Sequence, residues 1–192
     1  MQMIISPKKI LELNKKYRLI ENLDEREKNP EGVGIDLRVG EVYRLKGKGF
    51  MGIKERSTPI AEKVAELKGK STVFVLKAHE HVLVKTIEKL NIPNKKILIE
   101  KGMKPVYLMP HVYPRGTLVR SGVEVITWKT DPGYFGELTF ALVNLRDADF
   151  EFELGARIAN VVFHTVQGEL SRPYGGQWKG GRVSAEKRER QI

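Results

Sequence analysis

A carboxylate, an aromatic ring and two glycines lie close together in the segment TDPGYFGEL at positions 130–138. Upstream, the segment PRGTL at positions 114–118 places an arginine beside a glycine. A carboxylate in a turn can orient a water molecule, and an arginine with neighbouring backbone amides can hold phosphate oxygens. Together the two segments are typical of a site that holds water beside a phosphorylated substrate bearing a ring.

Each of these residues also has a purely structural interpretation. Asp131 precedes a Pro-Gly pair and can open the turn by hydrogen-bonding its own backbone. Tyr134 is either a core residue or a platform under a sugar ring, and Arg115 is either a surface ion-pair partner or a phosphate clamp. The backbone amides of Gly116 and Thr117 are candidates for cradling phosphate oxygens.

Other patterns of catalytic or metal-binding residues are weaker. His79 and His81 flank a glutamate and would share one face of a strand, but the absence of a third nearby ligand argues against a metal site. The sequence contains no P-loop and no dinucleotide-binding fingerprint. It also contains no cysteine, which excludes disulfides, thiolate metal sites and zinc deaminase chemistry.

The charge balance points to an anionic partner. The formal net charge is +10, which favours either nucleic acid or a nucleoside triphosphate. The lysines are dispersed along the chain, and no basic motif interleaved with aromatic residues is present. The sequence therefore argues against nucleic acid and leaves the nucleotide.

The length and composition predict a single domain. The chain has 192 residues and 41% hydrophobic content, enough for a substantial core. It contains neither an apolar run of about 20 residues nor a secretion signal, so we expect a cytoplasmic protein without a membrane span. A high Lys and Glu content beside few Asn and Gln residues is typical of a thermophile.

The local patterns predict a mostly β protein with two short helices. Ser6 and Pro7 begin a helix at 7–16, and Thr58 and Pro59 begin a second one that ends near Gly69. Short apolar runs punctuated by Gly and Pro predict strands at 35–45, 72–77, 81–88, 96–100, 105–109, 117–120, 123–128, 137–144, 149–154 and 157–166.

Many short strands favour a sandwich or a jelly-roll-like, distorted β-barrel. We expect one β domain over 1–170, followed by a flexible C-terminal flap and tail over 171–192. Trp178 lies among glycines in this tail, where an aromatic residue is unusual for a disordered segment. It therefore indicates a flap that closes over a ligand.

Five segments, taken in order, resemble the motifs of the dUTPase and dCTP deaminase superfamily. They are GIDL at 34–37, PRGTL at 114–118, DPGYFGEL at 131–138, GARIAN at 155–160 and the glycine-rich YGGQWKG at 174–180. The N-terminal helix and the approach to the tail look more like the dCTP deaminase branch, including its archaeal members. The resemblance covers most of the chain.

One position separates the two activities in this resemblance. Deaminases of this branch place a glutamate on the strand after the third motif, and the corresponding residue here is Ala141. Alanine cannot transfer a proton. Glu137 lies on the same face but about 13 Å from that position. The short interval from Arg120 to Asp131 is also like that of dUTPases, so the resemblance favours dUTP hydrolysis.

The resemblance implies a homotrimer with active sites at subunit boundaries, which converts dUTP and water to dUMP and pyrophosphate with Mg²⁺. The metal would be held mainly by phosphates and waters. By analogy Asp131 orients the attacking water, Arg115 contacts phosphate, and Asp36 is a supporting carboxylate behind the site. The implied substrate-binding residues are Gly116, Thr117, Leu118, Arg120, Tyr134, Asn160, Tyr174 and Trp178.

The motifs also depart from the family pattern. Gly116 stands where the second motif usually has serine, and Ala156 stands where the fourth usually has aspartate. These departures keep two alternatives open. One is a related pyrophosphatase with another pyrimidine preference, or a dCTP deaminase or bifunctional deaminase and diphosphatase that uses an unrecognised general base. The other is a family member that binds nucleotide without turnover.

Overall fold

The computed structural model describes residues 3–190, so the first two and last two residues of the predicted domain and tail lie outside it. Two α-helices occur among the described residues, α1 (Pro7–Tyr17) and α2 (Gly116–Arg120), with one 3₁₀ turn (Glu25–Lys28). The strands are β1 (Ile4–Ile5), β2 (Ile20–Glu21), β3 (Ile35–Lys46), β4 (Phe50–Met51), β5 (Glu55–Ser57), β6 (Ile60–Glu66), β7 (Val73–Leu76), β8 (His81–Asn91), β9 (Tyr107–Pro114), β10 (Val123–Ile126), β11 (Phe135–Asn144), β12 (Phe150–Glu153), β13 (Arg157–Val166) and β14 (Glu189–Arg190).

Nine strands form one antiparallel sheet whose central path runs β1-β13-β3-β8-β11-β10. Strand β9 pairs with β13, β6 with β3, and β2 with β8. Two smaller sheets contain β12 with β7 and β14-β5-β4. The prediction of a mostly β, jelly-roll-like protein with two short helices is confirmed, although the second helix lies at α2 and not where it was predicted. The described sheets stay open rather than closing into a barrel.

Helix α1 begins and ends where its sequence predicts. The Ser6 side chain accepts a hydrogen bond from the Lys9 amide at 3.4 Å, and proline occupies the first turn. The helix ends at Arg18, which adopts a left-handed φ of 51°. Ile10 and Leu13 are buried, so this helix packs one apolar face on the sheet core.

The second helix predicted at 58–69 is wrong. This segment forms β6, which pairs with β3 along its length. Of the residues whose spacing predicted a helix, Ile60 is 51% exposed, whereas Val64 and Leu67 are partly buried against the core. Main-chain pairing with a neighbouring strand outweighs local helix propensity here.

Two of the predicted strands are also wrong. Residues 117–120 lie in α2, because the chain must turn between β9 and β10, and Leu118 is buried while its neighbours stay exposed. In 96–100 only Ile97 makes a bridge, to Val106. The remaining predicted strands overlap the observed ones, and the prediction for β13 has the observed bounds.

Side chains along β11 alternate between the core and the opposite face of the strand, where the candidate site lies. Leu138, Phe140 and Leu142 are at most 2% exposed and face the core. Glu137, Thr139 and Ala141 occupy the intervening positions and so point to the opposite face. Because the apolar residues of β11 pack into the core, the residues between them lie on the opposite face of the strand.

Candidate active site

The segment that carries Asp131 is a tight turn attached to the sheet on both sides. The Tyr134 amide donates to the Asp131 carbonyl at 3.1 Å, and Gly133 has a φ of 94°, which only glycine adopts readily. Ile92, just beyond β8, exchanges hydrogen bonds of 2.8 and 2.9 Å with Tyr134 and Gly133. The turn therefore holds the Asp131 carboxylate at a defined place.

The Asp131 side chain is 38% exposed. Among the described residues, its ion-pair partner is Lys129. Thr130 between them donates its amide to the Pro110 carbonyl at 2.7 Å. A half-exposed carboxylate with a lysine on one side keeps oxygen lone pairs for a water molecule. This geometry allows the predicted role of Asp131 in orienting water.

Asp131 opens onto a cavity of about 480 Å³ that has four aromatic residues among its lining side chains. Among its lining side chains are Trp128, Tyr134, Tyr174 and Trp178. The rings of Tyr134 and Tyr174 lie 6.0 Å apart between centroids. Four of the predicted site residues (Asp131, Tyr134, Tyr174 and Trp178) thus meet around one cavity with the size and apolar character of a small-molecule site.

Tyr134 is buried and its hydroxyl is already used. It donates to the Glu137 carbonyl at 2.5 Å, and burial raises the pKa of Tyr134 above its usual range. The phenol therefore stays neutral at physiological pH. Its ring rather than its hydroxyl is what it offers to a ligand.

The C-terminal segment packs over this cavity by main-chain hydrogen bonds. The Tyr174 amide donates to the Pro132 carbonyl at 2.8 Å, and the Gly180 amide donates to the Phe135 carbonyl at 2.7 Å. A Cβ on Gly136 would meet the backbone of Gly180 and Gly181, so only glycine permits this approach. Tyr174 and Trp178 are carried to the cavity by these contacts.

Beyond the cavity the segment returns to the sheet. The Thr58 amide donates to the Ala185 carbonyl at 2.9 Å, and Ala185 is fully buried. Strand β14 then pairs with β5. Arg182 lines the cavity and forms an ion pair with Glu189.

A second group of predicted residues gathers around Asp36, at a different place. The Asp36 side chain is only 6% exposed and accepts hydrogen bonds from Arg115 at 2.6 and 2.7 Å and from Arg157 at 2.9 Å. Asn160, directly opposite on β13, donates to it at 2.8 Å. We call Asp36, Arg115, Arg157 and Asn160 the arginine cluster. Its one buried carboxylate orients two guanidinium groups that remain partly exposed.

The hydrogen bond from Asn160 to the Asp36 carboxylate depends on a neighbouring glycine, Gly34. A Cβ on Gly34 would collide with the side-chain amide of Asn160. Glycine therefore leaves the room that Asn160 needs to reach the carboxylate. This is a packing requirement, since Gly34 is not among the residues with positive φ.

Helix α2 follows Arg115 directly and carries four further predicted residues. Gly116 and Thr117 are exposed beside the arginine cluster, and Arg120 donates to the Gly116 carbonyl at 3.3 Å. Leu118 is 5% exposed and belongs to the core, so its side chain is turned away from solvent.

The two groups do not meet within one chain. The cavity at Asp131 shares no lining residue with the concave surfaces beside the arginine cluster. The residues that sequence reasoning treated as one site therefore form two separate parts of the described chain.

Sequence reasoning gave no site role to several residues that line the cavity, among them Leu83, Thr139 and Arg182. The position of Thr139 could have been predicted from the sequence, because alternation of side chains places it on the face of β11 opposite the core. The positions of Leu83 and Arg182 could not, since they reach the cavity through strand pairing and through the folding of the tail.

The described residues contain no group of three or more His, Asp or Glu side chains arranged to hold a metal ion. His79 has a φ of 58° in a turn and bonds Asp147, so it does not share a strand face with His81 as predicted. None of the helices in residues 3–190 combines the length and the apolar character that crossing a membrane requires.

Comparison with known proteins decides the family. The model of the dCTP deaminase-like family matches residues 4–166. This chain belongs to the dCTP deaminase-like family. The resemblance inferred from the five motifs is thereby confirmed.

Relatives within the dCTP deaminase-like family carry two different names. A probable deoxyuridine 5′-triphosphate nucleotidohydrolase of Methanothermobacter thermautotrophicus is 32% identical over 146 residues, covering 76% of this chain and 85% of that protein. A dCTP deaminase of Pyrococcus furiosus is 29% identical over 177 residues, covering 92% of this chain and 94% of that protein.

A solved structure agrees with the fold. The crystal structure of 2′-deoxycytidine 5′-triphosphate deaminase from Agrobacterium tumefaciens matches 85% of this chain with a TM-score of 0.61 and 16% sequence identity. This chain spans 46% of that longer chain. At this identity the match supports the architecture alone.

Proposed function

We propose that this protein is a dUTP diphosphatase, which hydrolyses dUTP to dUMP and pyrophosphate. The observation that carries the proposal is the Asp131 carboxylate at the edge of a cavity walled by Tyr134, Tyr174 and Trp178. A relative named as a probable deoxyuridine 5′-triphosphate nucleotidohydrolase, 32% identical, supports the same substrate.

In this reaction Asp131 orients a water molecule towards the α-phosphorus. The water oxygen forms a bond to phosphorus, the bond from phosphorus to the bridging oxygen of the β-phosphate breaks, and pyrophosphate leaves. The water proton passes to the carboxylate or to solvent. Lys129 forms an ion pair with Asp131 and so places a positive charge beside this carboxylate and near the phosphates.

The base and sugar occupy the aromatic cavity. Tyr134 packs its ring against the deoxyribose and leaves no room for a 2′-hydroxyl, and Trp178 closes over the base. The C-terminal segment 171–192 acts as the flap of a β domain spanning 1–170. Its hydrogen bonds at Tyr174 and Gly180 support a docked, closed position.

The arginine cluster binds the phosphates. Arg115 and the amides of Gly116 and Thr117 provide charged and neutral donors, with Arg120 and Asn160 beside them, and Leu118 anchors this short helix in the core. Asp36 holds Arg115 in orientation at 2.6 Å. Because the concave surfaces beside this cluster share no lining residue with the cavity in one chain, a neighbouring subunit of a homotrimer supplies the cluster to each cavity.

Magnesium enters this proposal with the substrate. The described residues provide no cluster of three or more metal-ligating side chains, so the chain offers no cage of its own for the ion. When bound to the triphosphate, Mg²⁺ neutralises phosphate charge. The roles given above to the side chains do not depend on direct coordination by the protein.

Deamination is the second candidate, supported by the relative named dCTP deaminase at 29% identity. Ala141 argues against it, because its position opposite Leu83 and near Thr139 is where a proton-transferring glutamate would face the cavity edge. Glu137 does not line the cavity and is paired with Lys85 and Lys89 at 3.7 and 3.4 Å. Hydrolysis without deamination follows.

Turnover of dUTP, dCTP, dTTP and UTP with Mg²⁺ tests the proposal, with pyrophosphate and ammonia measured in parallel. We expect pyrophosphate from dUTP and no ammonia. Ammonia from dCTP would replace the proposal by a deaminase or a bifunctional enzyme. Saturable binding of dUTP by folded protein without any product would favour a nucleotide-binding protein.

A further inference from the structure

Two hydroxyl groups at the cavity have no hydrogen-bond partner in the described chain. The Oγ1 atoms of Thr130 and Thr139 are shielded from solvent and unpaired, and both residues line the cavity. Thr130 as a whole is only 3% exposed. Four buried side-chain atoms in the described residues are unpaired in this way, and two of them share this cavity.

Such groups are costly unless something else pairs with them. A buried hydroxyl without a partner loses its hydrogen bonds to water and gains nothing in exchange. Other buried threonines of this protein avoid that cost. The hydroxyl of Thr86 donates to the Glu88 carbonyl at 2.7 Å, and that of Thr165 accepts from the Met3 amide at 3.1 Å. The two cavity threonines are the exception.

Their placement suits the polar edge of a flat ring. Thr139 projects from β11, whose neighbour β8 contributes Leu83 to the same wall, while Thr130 directly precedes Asp131. Trp128 and Trp178 supply aromatic surface beside them. Rotation of a threonine side chain about χ1 to another staggered position moves the hydroxyl group without moving the backbone, and so turns the oxygen towards a ligand.

We propose that the hydroxyls of Thr130 and Thr139 hydrogen-bond the polar edge of the pyrimidine ring and thereby help to select the base. This inference rests on the proposed function, since it places the base of the substrate in this cavity. A hydroxyl both donates and accepts, so it can pair with a carbonyl oxygen, a ring N–H or an amino group. The pair therefore selects rings with polar edges over apolar ones.

The test replaces each hydroxyl by a methyl group of similar shape, in Thr130→Val and Thr139→Val. We expect KM for dUTP to rise about tenfold in either variant, with a much smaller change in kcat, because this contact is present in both the bound substrate and the transition state. Thr165→Val is the matched control, since its hydroxyl is buried but outside the cavity; its KM should equal that of the wild type.

A substrate without a base separates ring recognition from a general defect. 2-Deoxyribose 5-triphosphate carries the sugar and phosphates alone, so both valine variants should bind it as the wild type does. The thermal midpoint of the free variants should not fall, because each lost hydroxyl had no partner. A lower midpoint together with weaker binding of the baseless compound would overturn the inference in favour of a structural role.

The outcome is separable from that of the proposed function. Wild-type turnover of dUTP with unchanged KM in both variants overturns the threonine inference alone. If the wild type binds dUDP in calorimetry but turns over no nucleotide, the diphosphatase proposal fails while the dissociation constants of the variants for dUDP still decide the inference. Absence of both turnover and binding would overturn the two together.

Discussion

Asp131 and Arg115 are the two charged residues on which the proposed chemistry depends, and their surroundings differ. Asp131 is 38% exposed and is paired only with Lys129 among the described residues. Arg115 donates two hydrogen bonds to the buried Asp36 carboxylate, which it shares with Arg157. The carboxylate is therefore available to water, whereas the arginine is held by a partner inside the protein.

Asp131→Asn should abolish most turnover while leaving nucleotide binding largely intact. The amide has nearly the same shape as the carboxylate but cannot accept a proton, so we expect kcat for dUTP to fall by about a hundredfold or more. Pyrophosphate release and calorimetric binding of a non-hydrolysable dUTP analogue are the two measurements. Unchanged kcat would remove Asp131 from the mechanism.

At the scale of elements, one contact between a strand and the tail decides whether the cavity is covered. Gly136, at the start of β11, has a φ of 125° and lies against the backbone of Gly180 and Gly181. The hydrogen bond from Gly180 to Phe135 at 2.7 Å depends on the same approach. The segment that carries Trp178 is thus held through a position that tolerates no side chain.

Gly136→Ala should release this segment from β11. We expect a fall of about tenfold or more in kcat/KM for dUTP, because Tyr174 and Trp178 would lose their placement, together with faster limited proteolysis near residue 180. Gly102→Ala is the control, since Gly102 has a φ of 89° but no atom within 4 Å of an added Cβ. Equal effects of the two variants would indicate backbone strain rather than lost docking.

The pairing of β9 with β13 introduces a dependence on pH. His164 lies on β13 with its ring centroid 5.2 Å from that of His111, and its Nε2 is buried without a partner. Burial, and then the neighbouring His111, lowers the pKa of His164 from its ordinary value of 6.5. The folded protein therefore binds fewer protons than the unfolded chain once the pH falls to that range.

From this direction, the stability associated with neutral His164 is present above about pH 6.5 and is lost as the pH falls through the lowered value. Urea unfolding between pH 5 and 8, at fixed protein concentration, should show a decrease on acidification that is smaller in His164→Gln. His81→Gln, at an exposed position, should keep the wild-type slope. An identical slope in the His164 variant would contradict the assignment.

At the scale of the whole molecule, the cavity and the concave surfaces beside the arginine cluster share no lining residue, so in the proposed function a second subunit completes the site. The net charge of +10 suits a triphosphate, and two arginines oriented by one buried carboxylate concentrate part of that charge in one place. In a cyclic trimer each boundary would bring one cavity to one cluster. The trimer is therefore part of the proposed function and is tested with it.

Mixing two inactive variants tests this arrangement. Asp131→Asn and Arg115→Ala subunits, unfolded and refolded together, should regenerate about a quarter of the sites, because some boundaries receive the intact half from each chain. Either variant refolded alone should stay inactive. Native mass spectrometry confirms mixed trimers, and mixed trimers without pyrophosphate release would show that the proposed site is not shared between subunits.

Much of the fold was predictable because its signals are local. Ser6 and Pro7 begin α1 through contacts within one turn, and the apolar alternation of β11 and β13 appears directly in their residues. The segment 58–69 was not predictable in this way. Its apolar spacing fits a helix, and only pairing with β3, distant in sequence, makes it a strand.

For the candidate site, the sequence predicted the residues of the proposed chemistry and the family to which the chain belongs. The Asp-Pro-Gly turn at Asp131 and the absence of a carboxylate at Ala141 can both be recognised from the sequence. Tertiary structure alone decided how these residues are grouped. The cavity, the buried Asp36 partner of Arg115 and the unpaired Thr139 hydroxyl arise from contacts between distant segments, and no local pattern encodes which segments meet.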